Sequence, residues 1–317
     1  MHYEMNTVYL LGAGFTRAVI GNSAPLTHEL MATLDISSFP EIHEEYERAF
    51  PDIEQFLSIL DLKVIHFRQI NSSLSDRLNI IREAIVRQII DQVDIARLHV
   101  DNFDESSLLK KFIETVPPNA RILTLNYDCV LDQGLYFSER WSPFGGYSYP
   151  TFPHTGNENA SKDRILLLKM HGSCNFKDSE EDQEYFRIEI TDSIFPNIHA
   201  NINSNSTDKP HILVMSYIKQ FHNGIMSLWR ESISALKNAE KLIIVGCSLR
   251  EEDMFLRFAL YHFGMKENTE KFFIEIIDKG EDNCKKIKEK VMRLVAYPDK
   301  QEVTLFNKGL EGYLKET

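Results

Sequence analysis

Several specialised classes are excluded by what the sequence lacks. Its four cysteines, Cys129, Cys174, Cys247 and Cys284, lie 45, 73 and 37 positions apart, so no CxxC pair signals a zinc knuckle or a redox dithiol. Scattered thiols of this kind fit a reduced interior, and a cytoplasmic location is expected. No stretch approaches the roughly 18 consecutive apolar residues of a membrane-spanning helix. The opening Met1-His2-Tyr3-Glu4 also lacks the basic flank and long apolar segment of a signal peptide, so no membrane partner is expected. Positive charge is in deficit, with 35 Lys and Arg against 47 Asp and Glu, a formal charge of −12. Such a surface repels phosphodiesters unless cations are gathered locally, so direct nucleic-acid binding is not expected. The eleven histidines form no HExxH or related ligand spacing, and no metal is implied. There is no internal repeat.

What remains is an ordinary globular composition, 43% hydrophobic and 26% charged over 317 residues, enough for one large or two modest domains. Short β-rich runs predict strands at Thr7–Leu11, Arg121–Leu125, Ile165–Lys169, His211–Met215, Lys241–Val245, Phe272–Ile277 and Glu302–Phe306. Runs such as Leu242-Ile243-Ile244-Val245 are apolar on both faces, as a strand between two helical layers must be. Helical patterns over Met226–Leu236, Glu251–Phe263 and Glu281–Leu294 alternate with them, which argues for a parallel sheet. The first two strands are separated by about 110 residues of helical character. There Leu78, Ile81, Ile85 and Ile89 share one helix face, and Leu108, Leu109, Phe112 and Ile113 another that Pro117-Pro118 end. Pro51 breaks an earlier helical stretch. The fold class is therefore α/β, a Rossmann-like parallel sheet flanked by helices, with a helical insertion at 26–116 after the first βα unit. Two further stretches, Ser142–Asp163 and Lys177–Lys209, are candidate loops, either mobile flaps over the site or insertions.

Chemistry-bearing residues gather at the predicted strand ends, where ligands sit in open parallel sheets. Gly12-Ala13-Gly14-Phe15-Thr16 follows the first strand. Glycines at such a turn let a pyrophosphate approach the amides of a helix N-terminus, or simply permit a tight turn; Arg17 stands where the usual third glycine would be. Thr124-Leu125-Asn126-Tyr127-Asp128 offers an amide and a carboxylate two positions apart, in residue types that turns also favour. Lys169-Met170-His171-Gly172-Ser173 brings a histidine out of a buried strand, placed either for proton transfer or for a structural contact. Gly246-Cys247-Ser248-Leu249 precedes the acidic Glu251-Glu252-Asp253. Ser248 either faces a phosphate or caps a helix starting near Glu251. Asp278 ends a strand where a carboxylate can accept both hydroxyls of a ribose.

In this order and spacing the four motifs Gly12-Ala13-Gly14, Thr124–Asp128, His171-Gly172 and Gly246–Leu249 resemble the sirtuin (silent information regulator) superfamily, which binds NAD and breaks the bond between nicotinamide and ribose. The resemblance implies one NAD-binding catalytic domain over 1–317. Gly12, Ala13, Gly14, Phe15 and Thr16 would line the pyrophosphate turn, with Gly246 beside it and Ser248 facing the phosphate. Asn126 would contact the nicotinamide ribose or a water beside it, and Asp128 would hold the carboxamide. His171 would act on the ribose hydroxyls as base or orienting group. Asp278 would sit at the adenosine ribose, where it would repel a 2′-phosphate and favour NAD over NADP.

Two departures bear on activity. The stretch Gly21–His28 lacks the Asp-Phe-Arg segment of deacylating sirtuins, and their four-cysteine zinc module is missing, so no zinc is expected. Together with the helical insertion, these features are similar to sirtuin-like NAD hydrolases of bacterial anti-phage defence. That likeness implies an NAD+ glycohydrolase acting as an abortive-infection effector, assembled as a homo-oligomer. A phage component or a partner such as a HerA-type ATPase would supply the trigger, since the chain ends soon after the last predicted strand. NAD-dependent deacylation or ADP-ribosyl transfer, and a non-catalytic NAD sensor, are the alternative readings.

Overall fold

The computed structural model describes residues 5–94, 103–104, 107–149, 151–152, 164–178, 186–191, 194–195, 210–218, 223–267 and 269–316. Its strands, in chain order, are β1 (Thr7–Leu11), β2 (Arg121–Thr124), β3 (Thr151–Phe152), β4 (Leu166–Lys169), β5 (Gly172–Asp178), β6 (Phe186–Glu189), β7 (Pro210–Ile212), β8 (Lys241–Val245), β9 (Phe272–Ile277) and β10 (Gln301–Phe306). The helices are α1 (Ala13–Ile20), α2 (Thr27–Leu30), α3 (His43–Ala49), α4 (Ile53–Ile70), α5 (Ser72–Asp94), α6 (Leu108–Thr115), α7 (Val130–Phe137), α8 (Pro143–Gly146), α9 (Asn223–Asn238), α10 (Met254–Leu260), α11 (Glu281–Leu294) and α12 (Gly309–Glu316).

Six strands form one sheet in the order β10-β9-β8-β1-β2-β4, every neighbour pair parallel. All five residues of β1 are buried, because a strand at the middle of such a sheet carries a helical layer on each face. Helices α1, α6, α7 and α12 pack with one another, and α10 packs with α9 and α11. The chain runs outward from β1 through β2 to β4, then returns to the other side of β1 through β8, β9 and β10. The strand order thus reverses between β1 and β8, the topological switch point at which open α/β sheets bind ligands.

A second sheet, in the order β3-β6-β5-β7, departs from the sequence reading. His211–Met215 was expected in the parallel sheet; instead β7 covers Pro210–Ile212 and pairs antiparallel with β5. The cause lies at Gly172, whose φ of +78° reverses the chain just after β4. A Cβ there would stand 2.2 Å from the His211 carbonyl oxygen, so only glycine lets β7 approach this closely. The expected Lys177–Lys209 loop contains β6; its residues 179–185, 192–193 and 196–209 lie outside the described residues, as do 150 and 153–163 of the Ser142–Asp163 stretch.

Between β1 and β2, helices α2 to α5 gather an apolar cluster of their own. Leu78, Ile81, Ile85 and Ile89 of α5 pack there with Ile53, Phe56, Leu57 and Leu60 of α4, as the spacing predicts. Leu109, Phe112 and Ile113 of α6 instead join the core of the main sheet. Asp52 caps α4, its Oδ1 accepting the Glu54 and Gln55 amides at 3.0 Å, so α4 starts directly after Pro51. Ser216 donates to Asp61 Oδ2 at 2.6 Å, and the Tyr217 amide to Ser58 Oγ at 2.8 Å. These bonds tie α4 to the segment after β7 and stand it beside the strand ends. Among the described residues, no helix is long and apolar enough to cross a membrane.

Candidate active site

A cavity of about 740 Å³ opens at the carboxyl ends of β1, β2, β4, β8 and β9, within the range of about 300–1,000 Å³ usual for small-molecule sites. Of the residues singled out in the sequence, Gly12, Ala13, Gly14, Thr16, Asn126, Asp128, His171, Gly246, Ser248 and Asp278 all line it. Phe15 does not. Its ring is 1% exposed in the main core and packs on Phe112 at 4.9 Å between centroids.

The glycines of the first turn have a more specific reason than flexibility. A Cβ on Gly12 would lie 2.6 Å from the Gly246 carbonyl oxygen, and one on Gly14 2.8 Å from Gly246 Cα. The turns after β1 and β8 therefore touch backbone to backbone across the switch point. The Gly12 amide donates to Val245, the Gly14 amide to Gly246 at 2.9 Å and the Phe15 amide to Gly12. Ala13, between them, lines the cavity at the start of α1.

Behind this turn, residues more than 100 positions apart form one chain of bonds. Asn126 Nδ2 donates to the Gly12 carbonyl at 3.0 Å and to Thr16 Oγ1 at 2.9 Å. Thr16 in turn donates to Asp128 Oδ2 at 2.9 Å, and Asp128 Oδ1 accepts the Val130 amide. With both amide hydrogens of Asn126 committed, its carbonyl oxygen is the end left by this arrangement, which makes it an acceptor for a water or hydroxyl. Burial pushes the Asp128 carboxyl up, against the opposing pull of Lys169.

Lys169 and Asp132 make a buried ion pair beneath the loop, 0% and 1% exposed. The ammonium donates to both Asp132 oxygens at 3.0 and 3.2 Å and to the Asp128 carbonyl at 2.5 Å. The Tyr147 hydroxyl donates to Asp132 as well. Burial alone would lower the Lys169 ammonium; Asp132 first, with Cys129 and Asp128 beside it, together outweigh this and hold it raised.

His171 follows β4 and packs between Tyr127 and Trp229, with centroids 6.4 and 6.1 Å away. Its Nε2 lies 2.8 Å from Asp253 Oδ2. Asp253 also corrects the expected helix start: α10 begins at Met254, and Asp253, not Ser248, caps it through the Leu256 amide. Ser248 is exposed at the cavity, and its carbonyl and that of Leu249 accept from Lys290 Nζ. Leu249 adopts φ +48°, an unusual conformation for a leucine; with it the chain turns back so that 250–253 reaches His171. Asp278 accepts the Lys279 amide at 2.7 Å, and burial raises its carboxyl.

Several lining residues were not foreseen from the sequence. Lys286 and Lys290 share a face of α11 and line the cavity, a four-residue spacing that was legible in principle. Glu54 of α4 also lines the cavity, together with the acidic Glu251, Glu252 and Asp253 already noted in the sequence, and Arg250 Nε lies 3.2 Å from Glu54 Oε2. Ala24 to His28, from the stretch that lacks the Asp-Phe-Arg segment, and Leu30 line the same cavity. The cations of this lining suit a phosphate and its carboxylates a cationic ring. Among the described residues, no group of three or more His, Cys, Asp or Glu side chains is placed to hold a metal ion.

The family model for the SIR2-like domain matches residues 120–291, more than half of the chain. No curated protein matches it. Solved structures similar to it include Sir2 in complex with the inhibitor EX-527, 2′-O-acetyl-ADP-ribose and deacetylated p53 peptide. That match has 14% identity and a TM-score of 0.38, over 98% of this chain and 91% of that one. Another is a Sir2–p53 peptide–NAD+ complex, with 11% identity and a TM-score of 0.38, over 98% and 90%.

Proposed function

This chain belongs to the SIR2-like domain family, and from that premise we propose that it is an NAD+ glycohydrolase, converting NAD+ and water to nicotinamide, ADP-ribose and a proton. The observation that carries the reading is the convergence of five strand ends on one cavity, whose lining includes His171 2.8 Å from Asp253, the cationic Lys286 and Lys290, and the carboxylates Glu54, Glu251 and Glu252. A dinucleotide with an anionic pyrophosphate and a cationic pyridinium finds partners of both signs in that lining.

Breaking the N-glycosidic bond passes through an oxocarbenium-like transition state, with positive charge spread over C1′ and the ring oxygen. Fixed dipoles and charges stabilise such a state without reorganising. In this reading the Asn126 carbonyl oxygen orients the attacking water or the adjacent ribose hydroxyl. His171 accepts a proton from it, a contribution of typically 10²–10⁴-fold. Asp128 receives the carboxamide N–H groups of nicotinamide, Ser248 and the Gly12–Thr16 turn receive the phosphates, and Asp278 the adenosine ribose.

The resemblance of the motifs to anti-phage hydrolases extends the proposal to the cell. There a homo-oligomer, released by a phage signal or a HerA-type ATPase, would deplete NAD+ in the cytoplasm and abort infection. Chromatography of NAD+ incubated with purified protein tests the chemistry, alone and with phage lysate. Nicotinamide and ADP-ribose are expected in equal amounts, and Asn126→Ala or His171→Ala should lose at least about 100-fold in rate while remaining folded. Formation of O-acetyl-ADP-ribose from an acetylated peptide would replace this reading with deacylation. Heat of NAD+ binding without nicotinamide release under any trigger would replace it with a sensor.

A further inference from the structure

Asp253 stands 82 positions from His171 in the chain and touches its ring. Both side chains are 9% exposed, so the contact is shielded from competing water. The carboxylate is held from two sides. Oδ2 meets His171 Nε2 at 2.8 Å, while Oδ1 accepts the Leu256 amide at 3.2 Å. A helix N-terminus thus aims one carboxylate oxygen at the imidazole. The Asp253 amide itself donates to Arg250, closing the turn that follows Leu249.

The groups facing the pair come from several elements. Tyr127 packs on the imidazole and is buried, which pushes its hydroxyl well up and keeps it neutral. Its hydroxyl donates to the Leu213 carbonyl, away from any exchange of protons. Trp229 covers the ring from α9. Cys247, next to Asp253 in the same cavity wall, has a thiol pushed up to about 12 by burial. From α4 comes Glu54, whose carboxylate pairs with Arg250, and Glu252 lies 3.9 Å from the same guanidinium. Asp253 places a carboxylate oxygen within hydrogen-bond distance of the imidazole.

We propose that Asp253 is the positioning residue of this site: it accepts the Nε2–H of His171, fixes the neutral tautomer with its lone pair on Nδ1, and stabilises the imidazolium formed when Nδ1 takes a proton. The proton comes from the attacking water or the ribose hydroxyl and leaves to solvent after nicotinamide departs, so the pair ends as it began. This rests on the NAD+ hydrolysis reading, and it adds a residue that none of the motif segments contains.

Asp253→Asn tests it. Asparagine keeps an oxygen for the Leu256 amide, so α10 remains capped, but it offers Nε2 an N–H and favours the wrong tautomer. Three readouts are expected. The rate constant kcat falls about 10²–10³-fold with KM within threefold of wild type. The acidic limb of the pH–rate profile moves to lower pH, because the base loses its stabilising anion. The NMR titration midpoint of His171, assigned with His171→Gln, moves the same way. A residue that only capped α10 would move neither the profile nor the midpoint. Wild-type turnover and an unmoved midpoint in Asp253→Asn overturn the proposal. If the wild type releases no nicotinamide, the reading of the activity fails by itself, and an unmoved midpoint still overturns the pairing.

Discussion

Replacing Lys169 with methionine should be among the most damaging single changes outside the cavity wall. Methionine fills the same space without charge, so the effect isolates the ammonium. Asp132 would be left buried with the Tyr147 hydroxyl as its remaining neutral donor, and the Asp128 carbonyl would lose its 2.5 Å partner. Removing one member of a buried pair costs about 3–5 kcal/mol, since the survivor's charge stays desolvated. For a chain of this size about 2 °C accompanies each kcal/mol, so the melting temperature should fall by about 6–10 °C. Adding Asp132→Asn removes the orphan charge and keeps an acceptor for Tyr147. It should recover about 2 kcal/mol, leaving about 1–3 kcal/mol for the unsatisfied Asp128 carbonyl. Thermal unfolding followed by circular dichroism, with urea titrations closing the double-mutant cycle, measures both. A single variant melting within 2 °C of wild type, or a double variant no better than the single, would refute the argument that the pair anchors the Asn126–Asp128 loop.

Other expectations follow from the same geometry. Gly246→Ala places a Cβ 2.4 Å from the backbone of Gly14 and Phe15 at φ +55° and should cost at least about 2 kcal/mol. Gly21→Ala, at φ +75° and ψ −153° but with open space around it, should cost about 1–3 kcal/mol from backbone strain alone, and a loss at Gly246 no larger than that at Gly21 in urea would contradict the clash. Asp128 has its folded-state pKa raised by burial, so its contribution favours folding when protonated and is lost as pH rises through that value. Asp128→Asn should therefore gain stability relative to wild type between pH 4 and pH 7; a melting difference that is flat or reversed over this window tells against it. The four cysteines are buried, and burial pushes Cys129 and Cys247 each up to about 12. Ellman's reagent at pH 8 should thus find no fast-reacting thiol in native protein and all four in guanidinium, and rapid native labelling would show the packing to be looser than described.

What could be read along the chain was whatever depends on local pattern. The doubly apolar strands, the helix faces and the position of chemistry at strand ends were all visible, because burial on both faces of a parallel strand leaves continuous apolar runs. Seven strands were anticipated. Six lie in the main sheet, and the seventh went elsewhere because Gly172 turns the chain where a positive φ and a 2.2 Å clearance demand it. The start of α10 was missed because Ser248 and Asp253 are both good caps, and only the backbone turn at Leu249 selects the second.

By itself, then, the sequence determined which segments carry glycine, amide, imidazole and hydroxyl groups, and that they leave the same edge of a sheet, since hydrophobic periodicity and turn chemistry act over a few residues. The tertiary structure decided who meets whom. Gly12 and Gly14 are small for the sake of Gly246, Asn126 spends its amide on Gly12 and Thr16, Lys169 neutralises Asp132, and Asp253 holds His171. None of these pairings has a sequence period, because each is made between different strand ends by the crossing of the chain at the switch point, and charge or shape complementarity over such separations is expressed only once the sheet has formed.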